Sequence, residues 1–196
     1  GSATTVSHVY ADGTQAYSIH AEASDEDGGP WLSNTLAINV SNVTPIVAIS
    51  GDSSVNEGSP YLLNLSVIDP GADTLTNWEI DWGTGEGWQI YPGSLASIEY
   101  LFPSMVATYT IQARTTDEDG GPYVTNTLQV DVLNVPPVVT LGGDPTIVES
   151  RPYTLLIDIA TPGQKPITSL TVDWGDGTSP ESLAPDATFA IHNYPD

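Results

Sequence analysis

Apolar and polar positions alternate through most of this chain, in short runs cut by turn residues. Tyr61-Leu62-Leu63-Asn64-Leu65-Ser66-Val67, Thr108-Tyr109-Thr110-Ile111-Gln112-Ala113 and Thr127-Leu128-Gln129-Val130-Asp131-Val132 each carry apolar side chains at every second residue. That is the period of a strand with one buried face. Between such runs fall Asn56-Glu57-Gly58, Asp69-Pro70-Gly71, Gly83-Thr84-Gly85 and Asp119-Gly120-Gly121, which are turn chemistry. No stretch carries a helical stripe. Over the central region the pattern predicts strands at 46–49, 61–68, 75–82, 88–91, 98–102, 109–114 and 123–132. Seven short strands in about 90 residues suit an all-β, immunoglobulin-like sandwich.

The chain repeats itself. The segment from Asp25, DEDGGPWLSNTLAINVSNVTP, returns from Asp117 as DEDGGPYVTNTLQVDVLNVPP, a distance of 92 residues. The same distance carries Ile80-Asp81-Trp82-Gly83 onto Val172-Asp173-Trp174-Gly175 and Glu57 onto Glu149. Twice that distance carries Ala3–Asp12 onto Ala187–Asp196. Fixed-period self-similarity signals a repeat architecture. Residues 45–136 read as one complete repeat, 1–44 as the C-terminal half of a preceding one, and 137–196 as the N-terminal half of a following one. The linkers Asn42-Val43-Thr44-Pro45 and Asn134-Val135-Pro136-Pro137 are short and stiffened by proline, so successive repeats are expected to form a semi-rigid rod.

Val172-Asp173-Trp174-Gly175-Asp176-Gly177-Thr178 resembles the tryptophan-Gly-Asp-Gly turn of the PKD (polycystic kidney disease) domain family, and His8, Tyr10 and Tyr17 resemble that family's later His-x-Tyr and Tyr positions. The central repeat departs from the pattern, with Gly83-Thr84-Gly85-Glu86 at the turn and Tyr100 where His8 and His192 stand. The wording is most like repeats of very large bacterial surface proteins. The resemblance implies PKD-type β-sandwich repeats in an extracellular spacer or adhesion role, secreted or at a cell surface, and it implies no catalytic residues.

Charge sharpens this picture. Twenty-five acidic residues face three basic ones, Arg114, Arg151 and Lys165, for a net charge of −22. Such a surface repels nucleic acid, whose binding needs Lys and Arg on phosphate, and it attracts cations. Cysteine is absent, which excludes a disulfide framework and thiol chemistry. No apolar run approaches the length of a membrane span, and no signal peptide is visible, so the chain reads as an excerpt of something longer.

The acids that could hold an ion cluster at turns. Asp117-Glu118-Asp119-Gly120-Gly121 and its copy Asp25-Glu26-Asp27-Gly28-Gly29 each join two strands, and Asp69-Pro70-Gly71-Ala72-Asp73 should lie at the same end of a sandwich. Calcium takes six to eight oxygens, and glycine lets backbone curl around it. The expected calcium ligands are Asp69, Asp73, Asp117 and Asp119, with Asp25 and Asp27 as the equivalent pair in the first half-repeat. The spacing is not that of an EF-hand, and Asp-Gly turns also occur without metal. In the last half-repeat Asp69 becomes Thr161 and Asp73 becomes Lys165, the pattern of a vacated cation site in which Lys165 would face the acids of a completing half, including Asp25 and Asp27. Glu57 is expected to bond backbone N–H groups in its turn, with a junction calcium as the alternative.

Trp82 and Trp174 share one repeat position and read as core; Trp88 has no aromatic counterpart and is the candidate for an exposed carbohydrate-stacking ring. The histidines rotate with tyrosine across repeats, and no catalytic motif is present. Strands of eight to ten residues hold the two half-repeats on the order of 25–35 Å apart. The halves are therefore expected to complete one another between molecules, as a head-to-tail, domain-swapped oligomer or fibre. The leading expectation is a calcium-stabilised, self-associating spacer, with a cell-surface or matrix protein or polysaccharide as a further partner. The alternative is a carbohydrate-binding accessory module of a secreted hydrolase.

Overall fold

A computed structural model describes residues 5–194. The ends of the duplicated segment, Ala3-Thr4 and Pro195-Asp196, lie outside the described residues. Among the described residues, strands account for nearly all regular structure, with a single 3-10 turn at Pro162–Gln164. The first segment carries β1 (Gln15–Ile19), β2 (Glu22–Asp25), β3 (Gly28–Leu32) and β4 (Leu36–Val40). The central segment carries β5 (Ile46–Ser50), β6 (Ser54–Asn56), β7 (Tyr61–Ile68), β8 (Leu75–Asp81), β9 (Gln89–Pro92), β10 (Ser97–Tyr100), β11 (Thr108–Asp117), β12 (Tyr123–Val124) and β13 (Leu128–Leu133). The last segment carries β14 (Val138–Gly142), β15 (Tyr153–Ala160), β16 (Leu170–Val172), β17 (Glu181–Leu183) and β18 (Phe189–His192).

The central strands form the two sheets of an immunoglobulin-like β-sandwich. One has the order β10-β7-β5; the other has the order β6-β13-β11-β8-β9, with β12 on β11. Burial alternates strictly along β7 at Tyr61, Leu63 and Leu65, and along β11 at Tyr109, Ile111, Ala113, Thr115 and Asp117, as a strand with one face on the core requires. The 92-residue period recurs in the pairing itself. Ile46 pairs with Ile68 in β5–β7 and Val138 with Ala160 in β14–β15. Glu22 pairs with Leu32 in β2–β3 and Arg114 with Val124 in β11–β12.

By contact the chain divides into two compact units, Gly1–Asp52 with Leu62–Glu99 and Tyr109–Gln129, and Ser53–Tyr61 with Tyr100–Thr108 and Val130–Asp196. The first unit buries Trp78, Ile80, Trp82, Leu63 and Ile111. The second buries Tyr61, Phe102, Val130 and Val132, and has a further small core of Leu155, Ile157, Val172, Trp174 and Ala190. No described residue from 5 to 44 is buried.

One expected strand is two. The run 123–132 divides into β12 and β13 at Asn126, whose side chain bonds elsewhere, while Thr125 N–H still donates to Ala113 O of β11 at 3.0 Å. The Thr125 hydroxyl donates to Ala113 O at 3.0 Å, while Asn126 Oδ1 accepts from Ile49 N at 3.0 Å and Asn126 Nδ2 donates to Ile49 O at 3.0 Å. That side chain imitates a strand neighbour for β5, so the chain leaves its ladder at this point. The run expected at 109–114 is longer than its apolar pattern, extending to Asp117.

Candidate metal centre

Asp117 is the last residue of β11 and only 7% exposed. The loop behind it fixes one of its oxygens: Oδ1 accepts from Asp119 N at 2.9 Å, Gly120 N at 2.7 Å and the Tyr123 hydroxyl at 3.3 Å. Gly120 and Gly121, at φ +151° and +123°, supply the backbone conformation this curl needs. The other oxygen, Oδ2, is buried with no hydrogen-bond partner. Charged oxygens are seldom left so, because desolvation without a partner is costly.

Asp69 and Asp73 approach from the loop after β7. Asp69 Oδ1 accepts from Gly71 N at 2.9 Å, which leaves Oδ2 buried and unpartnered, as are both oxygens of Asp73. A Cβ on Gly71 would stand 2.9 Å from Asp73 Oδ2 and 3.3 Å from Asp69 Oδ1, so glycine keeps this cradle open. Glu118 ties the two loops together, accepting from Thr74 N at 2.7 Å and from its hydroxyl. Oxygens of Asp69, Asp73 and Asp117 lie within 4.8 Å of one another, and so do oxygens of Asp12, Asp73 and Asp119. Ligands on opposite sides of an ion with bonds of about 2.3–2.6 Å stand about 4.6–5.2 Å apart. An all-oxygen set suits a hard cation, so the residues fit calcium.

Asp12 comes from the first segment, held there by Ala72 N donating to Ala11 O at 2.9 Å. Sequence reasoning missed it. The available signal was that aspartate stands at the end of both copies of the duplicated segment, Asp12 and Asp196, while serine stands at the matching Ser104.

The electrostatics match a site short of positive charge. Asp73 is pushed up to about 6 from an ordinary 3.8, chiefly by the neighbouring Asp12 carboxyl, then by burial and the charge of Asp69. A shared proton is the one hydrogen bond this carboxyl pair can make; ionised, neither has a donor to offer. Burial and the charges of Asp12, Asp117 and Glu118 also raise Asp119. Raised acids favour the protonated fold, so stability falls as pH rises from about 4 to about 6. A bound cation opposes that loss.

Asp25 and Asp27 do not join this cluster. They form the same turn, Asp27 N donating to Asp25 Oδ1 at 3.0 Å, but both are exposed. Lys165, expected opposite loop acids of this kind, instead reaches Glu57 Oε2 at 2.5 Å and Asn134 Oδ1 at 3.3 Å. Glu57 is 2% exposed, and its Oε1 accepts from Val135 N at 2.9 Å. The Lys165 ammonium, and after it the Val135 N–H, hold the Glu57 carboxyl below its ordinary range despite burial.

Among the other singled-out residues, Trp82 and Trp174 are buried. Trp174 stacks on His192, with ring centroids 4.5 Å apart, and His192 Nε2 lies 2.8 Å from Asp176 Oδ2. Trp88 is 38% exposed, but the Arg114 guanidinium lies 4.3 Å from its ring centre and covers one face. Arg114 is itself held by Glu79 at 2.5 Å. No helix among the described residues is long and apolar enough to cross a membrane.

No protein-family model matches the sequence, and no curated protein matches it. Several solved structures are similar. The PKD domain of an M14-like peptidase from Thermoplasmatales archaeon SCGC AB-540-F20 is 27% identical, over 47% of this chain and 98% of that one, with a TM-score of 0.37. Fibronectin(III)-like modules of Clostridium thermocellum CbhA are 14% identical over 62% of this chain and 63% of theirs, with a TM-score of 0.37. The FN1-FN3 domains of chicken CNTN1 are 11% identical over 91% of this chain and 65% of theirs, with a TM-score of 0.34. A PKD domain thus stands among the similar solved structures, beside the resemblance carried by Trp174-Gly175-Asp176-Gly177.

Proposed function

We propose that this chain is a run of non-catalytic extracellular spacer or adhesion repeats, stiffened by calcium where the first segment meets the central one. The observation that carries the reading is the cage of Asp12, Asp69, Asp73, Asp117 and Asp119, which draws on both segments and leaves buried carboxylate oxygens unpartnered. An ion there offsets repulsion that the fold cannot otherwise relieve, and it fixes one repeat on the next. Calorimetric melting in calcium and in chelator tests this. The midpoint is expected to rise with calcium, and an unchanged midpoint would remove the ion from the account.

Self-association belongs to the same proposal. The described residues from 5 to 44 bury nothing, and Val6, Val9, Trp31, Leu32 and Leu36 are exposed. Strand pairs of this kind need a further layer for stability. The strands of 137–196 in a second copy supply the half of the repeat that these lack. Sedimentation should show concentration-dependent association; a folded monomer across the accessible range would count against it. A carbohydrate-binding role has less support, because Arg114 occupies one face of Trp88.

A further inference from the structure

The positions that meet at Asp12 and Asp73 recur once more along the chain, with different chemistry. Ninety-two residues on, Asp12 becomes Ser104, Asn42 becomes Asn134, Asp69 becomes Thr161, Gly71 becomes Gly163 and Asp73 becomes Lys165. The recurrence is spatial as well. At the first junction the Ala11-Asp12 turn meets the loop 69–73, through Ala72 N to Ala11 O and the Asp12–Asp73 oxygens. At the second, a Cβ on Gly163 would stand 3.0 Å from Ser104 Oγ and 3.3 Å from Glu57 Cγ. The same turn therefore meets the same loop in close contact, and Gly163, at φ +68°, holds a backbone conformation that favours glycine.

We propose that the Lys165 ammonium fills, at the second junction, the seat that a divalent ion fills at the first, so that the second junction is locked without metal. This rests on reading the aspartate cage as a cation site. Three carboxylate positions of the cage, Asp12, Asp69 and Asp73, are replaced by a hydroxyl, a hydroxyl and an ammonium. One buried carboxylate, Glu57, then faces one positive charge, and Asn134 Oδ1 supplies a second oxygen. A lysine ammonium is a compact point charge that takes oxygen acceptors, so it can replace a hard cation while needing fewer acids around it. It is attached to the chain and cannot be removed by chelator. Divalent ions then act on one junction and leave the next alone.

Transplanting the lysine tests the proposal. Asp73→Lys in the full chain should abolish the calcium-dependent rise in melting midpoint. In chelator it should also melt at least about 2 °C above Asp73→Met, which removes the same acid without supplying charge. Lys165→Met should lower the midpoint of the wild-type chain equally in calcium and in chelator. If calcium shifts the wild-type midpoint but Asp73→Lys melts no higher in chelator than Asp73→Met, the seats are not equivalent and this proposal falls alone. A calcium-dependent loss in Lys165→Met would also overturn it. If calcium leaves the wild-type midpoint unchanged, the cage reading fails and takes this proposal with it.

Discussion

Single side chains decide whether the acidic loops are sites or ordinary turns. Asp117 spends one oxygen on three donors of its own loop and leaves the other buried without a partner. Asp117→Asn should therefore keep the loop's shape while weakening calcium binding by roughly tenfold or more, since a ligand and a charge are both lost; titration calorimetry measures it. A different aspartate sets the acid limit. Asp176 is drawn down to about 2 from an ordinary 3.8, first by the Thr178 hydroxyl and N–H and then by His192. Its folded value is depressed, so its contribution is present above about pH 4 and is lost as pH falls toward 2. Asp176→Asn should flatten that part of the stability profile, as followed by circular dichroism melts between pH 2 and 5. Four of the five cage aspartates were legible because Asp-Gly turns mark loop ends, and pairing predicted strands places two loops at one end. Asp12 was not, because it reaches the cage from another repeat through a contact that no local pattern records. Lys165 was visible as a charge reversal, but its partner, Glu57, lies 108 positions earlier.

At the scale of elements, the period-2 pattern located strands well where one face is core. Residues 61–68 are a strand with the expected bounds, and its copy follows at Tyr153–Ala160. The pattern failed just after residue 125, whose N–H still donates to Ala113 O in β11; the break comes at Asn126. Asn126 satisfies both backbone groups of Ile49, 77 residues away, and a side chain acting as a surrogate strand has no signature in its own neighbourhood. Asn126→Ala leaves a part-buried donor and acceptor unpaired and should cost about 1–3 kcal/mol in urea unfolding. Trp78 presents the contrasting case, an apolar replacement in the core of the first unit, at 0% exposed. Trp78→Ala should cost roughly 3–5 kcal/mol, and a cost under about 1 kcal/mol would show that β8 is not part of a packed core.

For the whole molecule, a charge of −22 is a standing repulsion that a chain with three basic residues cannot neutralise internally. Screening shortens its reach to about 10 Å at 0.1 M salt. In chelator, raising sodium chloride from about 0.01 M to about 0.5 M should raise the melting midpoint, and calcium should act at far lower concentration by binding rather than screening. Equal effects of the two salts at matched ionic strength would reduce the cage to part of a general acidic coat. The pairing of β6 with β13 carries a mechanical consequence. These strands run parallel, Ser54 beside Asp131 and Asn56 beside Leu133. Tension entering ahead of β6 and leaving after β13 pulls them lengthwise past each other. Their bonds must then break together rather than peel one by one, so a tether strung through these repeats would hold against force until it gave way in a single rupture.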